Sequence, residues 1–216
     1  MAHDDPRSAR NRAGGVAFQF GRAAALGLAF LIAGCLPQPG DTGPDEAHWI
    51  QQPDDVRVLL VPAHRTTRLQ GPGLPAVDVS LGAFFARWTP GGPPVDQLAI
   101  LVVMEGRDPD TLAELAEQLL LDIDGTRYVG APGSTENSLR MERKPSGLRV
   151  TMAVPVGLTE LTRLIEADEV QAQLGPWGVF GLPRHERLRF RSLVEKLPAG
   201  APLGIRRTGQ LAMAAD

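Results

Sequence analysis

Beyond residue 55 the chain is dominated by apolar positions that recur every second residue. That spacing puts one side of an extended strand into a core and leaves the other in water. Val77, Val79, Leu81, Ala83 and Phe85 alternate with Asp78, Ser80 and Gly82, while Leu148, Val150, Met152 and Val154 alternate with Arg149, Thr151 and Ala153. Both stretches predict half-buried strands. Leu139 and Met141 stand before the turn-forming Lys144-Pro145-Ser146-Gly147, so they and the strand that follows predict a hairpin. Residues 56–61 and 98–104 are apolar runs and predict strands buried on both faces. Val170, Ala172 and Leu174 alternate with Gln171 and Gln173, and a short strand, Val-Phe-Gly-Leu, follows Gly-Pro-Trp-Gly.

Two segments switch to helical spacing. Leu158, Leu161, Leu164 and Ile165 fall on one face of a short helix. So do Phe190, Leu193, Val194 and Leu197, with Pro183 near the start and Pro198 beyond the end. Thr111 and Glu114 have capping-box spacing and predict a third short helix beginning at Thr111. The fold class is therefore α+β and mostly β: an antiparallel sheet or sandwich of about eight strands, with two or three short helices lying mainly C-terminal. Residues 56–198 form the β-rich globular domain in this reading, and residues 199–216, small and weakly patterned, a loose tail.

The first 55 residues carry none of this periodicity. Arg7, Arg10, Arg12 and Arg22 precede twelve residues, 23–34, made only of Ala, Gly, Leu, Ile and Phe. A charged n-region followed by an apolar h-region of this length is the pattern of an export signal, and the run is short for a membrane-spanning helix. It ends in Ile32-Ala33-Gly34-Cys35, and Cys35 is the single cysteine of the 216 residues. This resembles the lipobox of bacterial lipoproteins. The resemblance implies a signal at residues 1–34 cut between Gly34 and Cys35, and a diacylglyceryl group on the Cys35 thiol, often with a further acyl (palmitate-type) chain on the new amino terminus. Two or more acyl chains suffice for stable anchoring. In that family an aspartate after the cysteine favours the inner membrane. Here the residue is Leu36, which implies the outer membrane, facing the periplasm, in a cell with two membranes. Residues 35–55, rich in Pro, Gly, Asp and Gln, read as a flexible tether.

Removing residues 1–34 takes away four arginines and two aspartates and leaves 18 basic against 23 acidic residues. Such a chain is not suited to nucleic acid. A single cysteine excludes an intramolecular disulfide, so stability must come from packing.

Candidate chemistry is sparse. Leu119 to Tyr128 contains Asp122-Ile123-Asp124-Gly125-Thr126, which resembles the first motif of haloacid dehalogenase-like phosphatases. That resemblance implies Asp122 as nucleophile, Asp124 as acid/base and a magnesium ion between them. The remaining acidic and basic motifs of that family, and its parallel sheet, have no counterpart in the 90-odd residues that follow. The competing reading is a hairpin in which Asp124-Gly125 is the two-residue turn, a favoured pair there. His48, His64 and His185 lack metal-ligand spacing, so no metal or other cofactor is expected. Ser134, Ser138 and Ser146 lie in turn-like stretches. Arg184, Arg187, Arg189 and Arg191 read either as the solvated face of the last helix or as a contact for anionic groups. Trp49, Trp88 and Trp177 are too few for a sugar-binding platform and read as core or turn-covering residues. Residues 95–197 resemble uncharacterised exported bacterial proteins, a likeness that brings no activity with it.

The expected function is a lipid-anchored envelope protein acting as a non-enzymatic binding or interaction module. Its expected partners are the membrane, through lipidated Cys35, and another envelope protein or polymer. The alternatives are a metal-dependent phosphatase-like hydrolase using Asp122 and Asp124, and an apolar-ligand carrier with a cavity between sheets.

Overall fold

The computed structural model describes residues 46–51, 56–71, 74–88, 95–130 and 139–198. Ten strands and four short helices form among them: β1 (His48–Gln51), β2 (Arg57–Leu69), β3 (Val77–Trp88), β4 (Val95–Gly106), α1 (Pro109–Leu115), β5 (Leu119–Ile123), β6 (Thr126–Gly130), β7 (Leu139–Lys144), β8 (Gly147–Pro155), α2 (Leu158–Glu166), β9 (Val170–Leu174), β10 (Gly178–Gly181), α3 (Arg184–Arg189) and α4 (Arg191–Glu195). The strands make a six-stranded sheet, ordered β1-β2-β3-β4-β8-β7, and a four-stranded sheet, ordered β10-β9-β5-β6. Every pairing is antiparallel. The α+β, mostly β architecture read from the sequence is thus the one observed, with ten described strands in place of about eight.

One apolar cluster joins the two sheets and the helices. Leu59, Val79, Val102 and Met152 of the large sheet meet Leu119 and Leu174 of the small one, and Leu112, Leu161 and Leu193 close it from α1, α2 and α4. Val79, Met152, Leu174, Leu161 and Leu193 are period-two or helical positions singled out above, and Leu59 and Val102 belong to the two apolar runs, so the hydrophobic pattern placed much of the core. At about 25 cal/mol per Å² of apolar surface removed from water, this burial is the main term holding the sheets together.

Three local departures have identifiable causes. His48–Gln51, placed in the 35–55 tether by composition, form β1, which pairs His48 with Leu60 and Gln51 with Arg57. Four residues cannot show a period, and here long-range pairing supplies the order. The helix expected to begin at Thr111 begins at Pro109. Its N-cap is Asp108, whose carboxylate accepts from both the Thr111 amide, at 2.9 Å, and the Thr111 hydroxyl. Thr111 therefore donates to the cap rather than being one, because Pro109 supplies a preset φ at the first helical position. The last predicted helix is two, α3 and α4, meeting at Phe190, which is 1% exposed and caps α3 while opening α4.

The β5–β6 hairpin is closed by Asp124 and Gly125, with φ of 49° and 79°. Two consecutive left-handed residues define the mirror-image turn that suits the twist of a tight hairpin. Among the described residues no helix is long and apolar enough to cross a membrane.

Candidate functional site

Three places in the fold concentrate features that could carry function: the β5–β6 turn, the polar cluster on α3, and the outer face of the large sheet.

At the turn, Asp122 lies in β5 opposite Arg127 of β6 and Gln171 of β9. Its Oδ2 is 3.8 Å from Arg127 Nε, a loose surface pair. Asp124 Oδ1 accepts from the Glu169 amide at 2.9 Å, and the Asp124 amide donates back to the Glu169 carbonyl at 3.1 Å. Asp124 thus ties the hairpin to the start of β9. The strand holding Asp122 has antiparallel neighbours on both sides, where the phosphatase-like resemblance implies a parallel sheet. Among the described residues there is no group of three histidine, cysteine, aspartate or glutamate side chains placed to hold a metal ion.

The α3 cluster contradicts the solvated-face reading of its arginines. Arg184 and Arg191 are exposed, but Arg187 is 2% exposed and enters the core. Its Nη1 donates to the carbonyls of Leu164 and Ala167, at 3.1 and 2.5 Å, and its Nη2 to that of Asp168 at 3.2 Å. Those carbonyls lie at the C-terminal end of α2 and just beyond it, where backbone acceptors lack helical donors and the helix dipole favours a cation. Glu186, also buried, gathers basic side chains from three directions. Arg189 Nη1 donates to its Oε2 at 3.1 Å, His64 Nδ1 is 3.0 Å from its Oε1, and His185 Nε2 is 3.5 Å from the same oxygen. Arg189 Nη2 also reaches the Pro62 carbonyl at 2.8 Å, so the cluster pins α3 to the bend in β2. Sequence spacing did not reveal this convergence of His64 and His185, because β2 and α3 are 120 residues apart. The only sequence signal was the density of arginine beside Glu186.

The other sequence-singled residues are more dispersed. Trp49 is 40% exposed on β1, stacked edge-on against Phe85, with the Arg57 guanidinium 4.8 Å from its ring centre. Trp177 lies in the β9–β10 turn and donates to Glu114 at 3.3 Å. With Leu69, Leu74 and Val179 it lines a half-open groove of about 370 Å³. Leu69 belongs to β2 and Val179 to β10, so the groove is lined from both sheets. Ser146 sits in the β7–β8 turn. Ser134 and Ser138, like Gly34 and Cys35, lie outside the described residues.

The large sheet is apolar on both faces. Residues 78–86 looked half-buried from their alternation, yet Ser80, Phe84 and Ala86 are as buried as the core positions between them. Phe84 stands between Leu60 and Ala99 in register, and Leu101 beside Ala153. Together with Val58 and Val103 they form a second apolar cluster facing away from the small sheet.

Comparison with protein-family models, with curated proteins and with solved structures gives no match to this chain.

Proposed function

We propose that this chain is a lipid-anchored protein of the bacterial envelope, held through Cys35 and acting there as a non-enzymatic binding module, in the outer membrane facing the periplasm where two membranes exist. The observation that carries the reading is the sequence of residues 23–35, an apolar run of signal length ending in small residues and the chain's single cysteine. Support for a binding role comes from how the described polar groups are used. Arg187 holds the end of α2, Asp108 caps α1, Asp124 ties a hairpin to β9, and Glu186 joins α3 to β2. Side chains committed to holding elements together are poorly placed for turnover, whereas a stiff two-sheet scaffold suits the display of a surface.

The test is the mass of the amino-terminal peptide from intact cells, with Cys35→Ser as the control. The expected result is a chain beginning at Cys35 and carrying a diacylglyceryl group, recovered with membranes, while the Cys35→Ser chain is neither cut nor modified. An unmodified Cys35 in the membrane-associated protein sinks the proposal.

A further inference from the structure

Strand β7 ends the strand order of the large sheet, with β8 on one side and no described strand on the other. Its backbone groups can be assigned to a side. The Val156 amide donates to the Leu98 carbonyl at 3.0 Å, one pair beyond Pro155 and Ala99 in the β4–β8 register. Opposite residues in an antiparallel ladder alternate between bonded and unbonded pairs, so the even-numbered residues of β8 turn their N–H and C=O toward β4 and the odd-numbered ones toward β7. Arg149 and Thr151 stand opposite Glu142 and Arg140. Glu142 and Arg140 therefore face β8, while the N–H and C=O of Leu139, Met141 and Arg143 point out from the edge. The same alternation sorts the side chains. Arg140, Glu142 and Lys144 share one face, where Arg140 Nη2 and Lys144 Nζ lie 2.6 and 3.2 Å from the Glu142 carboxylate. Leu139 and Met141 are on the other, 39% and 47% exposed.

A sheet edge with outward backbone groups and exposed apolar side chains is a template for another strand. We propose that the strand it takes is β7 of a second copy of this chain, antiparallel and with Met141 opposite Met141, so that two six-stranded sheets join into one across a twofold axis. Backbone direction and charge select that register. Outward groups must meet outward groups, so odd-numbered residues face odd-numbered ones and a one-residue slip is not available. With Met141 on the axis, Leu139 faces Arg143 of the second copy and packs on its aliphatic stem. Arg140 faces Glu142 of the second copy, and symmetry repeats the pair. Sliding one copy by two residues sets Arg140 against Arg140 in one direction, and Glu142 against Glu142 with Arg140 against Lys144 in the other. Directly opposed like charges are destabilising. Four of the six residues of β7 are charged, the usual guard of an edge strand; here the guard is self-complementary. The contact closes on itself, so two copies pair and no filament grows. Paired residues 139–143 bury little surface, which places the contact in the weak, reversible class below about 1,200 Å².

The pairing goes beyond the lipid-anchor reading and needs no lipid. It is tested in the full chain with Cys35→Ser, where no native thiol remains and failure leaves the test of the anchor untouched. Met141→Cys should give a disulfide-linked dimer under mild oxidation, because opposite Cα atoms of a bonded pair lie about 5.5 Å apart, within reach of a disulfide. Val129→Cys, on edge strand β6 of the small sheet and 53% exposed, should not. In the Met141→Cys chain, Arg140→Glu or Glu142→Arg alone sets like charges in apposition and should cut the dimer yield about tenfold. Mixing these two variants, one with a size tag, restores opposite charges across the seam, and the mixed dimer should form as readily as the parent dimer. A variant that had merely unfolded would not recover on mixing. No dimer with Met141→Cys, an equal yield with Val129→Cys, or a mixed pair no better than either variant alone would each overturn the proposal.

Discussion

Arg187 is the residue whose loss the structure prices most clearly. Its guanidinium is buried and donates to three backbone carbonyls, of Leu164, Ala167 and Asp168, while its Nε finds no acceptor among the described residues. Truncation to alanine removes three charge-assisted bonds and leaves a cavity under α3. The acceptors at the end of α2 then stay buried without donors, or admit water at the expense of packing. Breaking a buried polar arrangement of this kind costs about 3–5 kcal/mol, which for a domain of this size lowers the melting temperature by roughly 10 °C. Two companions separate the contributions. Arg187→Met restores most of the volume but supplies no donor, and should cost about 2–3 kcal/mol. Arg187→Lys keeps the charge but has a single donor centre for three carbonyls in different directions, and should cost about 1–2 kcal/mol. Urea unfolding followed by circular dichroism reads all three against Arg184→Ala, an exposed neighbour expected to stay within about 0.5 kcal/mol of the parent. If Arg187→Ala and Arg184→Ala unfold at the same midpoint, the guanidinium does not hold α2 and the account of the α3 cluster is wrong.

Other substitutions test other parts of the fold. Gly125→Ala places a side chain at φ 79° with open space around it, so only backbone strain is charged, about 1–2 kcal/mol. Gly175→Ala shares a left-handed φ, 53°, but its Cβ would lie 2.2 Å from the Glu114 carbonyl oxygen, so it should cost several times as much and separate clearly from Gly125→Ala in the same unfolding series. Phe84→Ala on the outer face should destabilise the full chain by about 3–5 kcal/mol, as a core position would, and a loss under about 1 kcal/mol in a thermal melt would mean that face is loosely packed. The Asp108 carboxyl is held below its usual range, first by the Thr111 hydroxyl and then by backbone donors. Because the folded value is depressed, the stabilisation from Asp108 is present above the unfolded carboxylate value and is lost as pH falls through the folded one. The stability gap between the parent and Asp108→Ala should therefore be full near neutrality and close at acid pH. Thr111→Val should move the Asp108 titration, followed by carboxyl-carbon NMR, back toward the usual range.

How far the sequence could be read depended on whether a signal was local. The two-sheet core was legible because Val77 to Phe85, Leu148 to Val154 and Leu158 to Ile165 each repeat the period of their own element. The Asp124-Gly125 turn was legible because few residue pairs suit two successive positive φ angles. The outer face was half-legible. Leu98 to Met104 announces a strand buried on both sides, but the matching positions of β3 are Ser80, Gly82, Phe84 and Ala86, which mix small, polar and apolar residues and hide the second cluster. Arg187 was misread because four arginines in eight residues look like a wet helix face. Only the tertiary position of the α2 terminus shows that one of them has three carbonyls waiting for it. The Glu186 cluster, joining residues 64 and 186, had no local signature at all.

The ends of the described chain constrain how an anchored domain would sit. The Ala47 amide donates to Ser192 Oγ at 2.8 Å, and Lys196 Nζ reaches the Ala47 carbonyl at 2.8 Å and Glu46 at 3.3 Å. Entry to β1 and the end of α4 are therefore fastened together at one edge of the large sheet. On the lipid-anchor reading, the eleven residues between Cys35 and Ala47 give an average span of about 17–20 Å for a flexible chain, shorter than the width of the sheet. The β1 edge is then the membrane-proximal side. Edge strand β7, with Leu139 and Met141 exposed, lies at the opposite end of the strand order, and on the same reading would face away from the bilayer. Lengthening the tether by ten Gly/Ser residues should leave thermal stability of the domain unchanged, because the fastening at Ala47, Ser192 and Lys196 lies inside the fold. A drop in melting temperature would show instead that residues before Glu46 contribute to it directly.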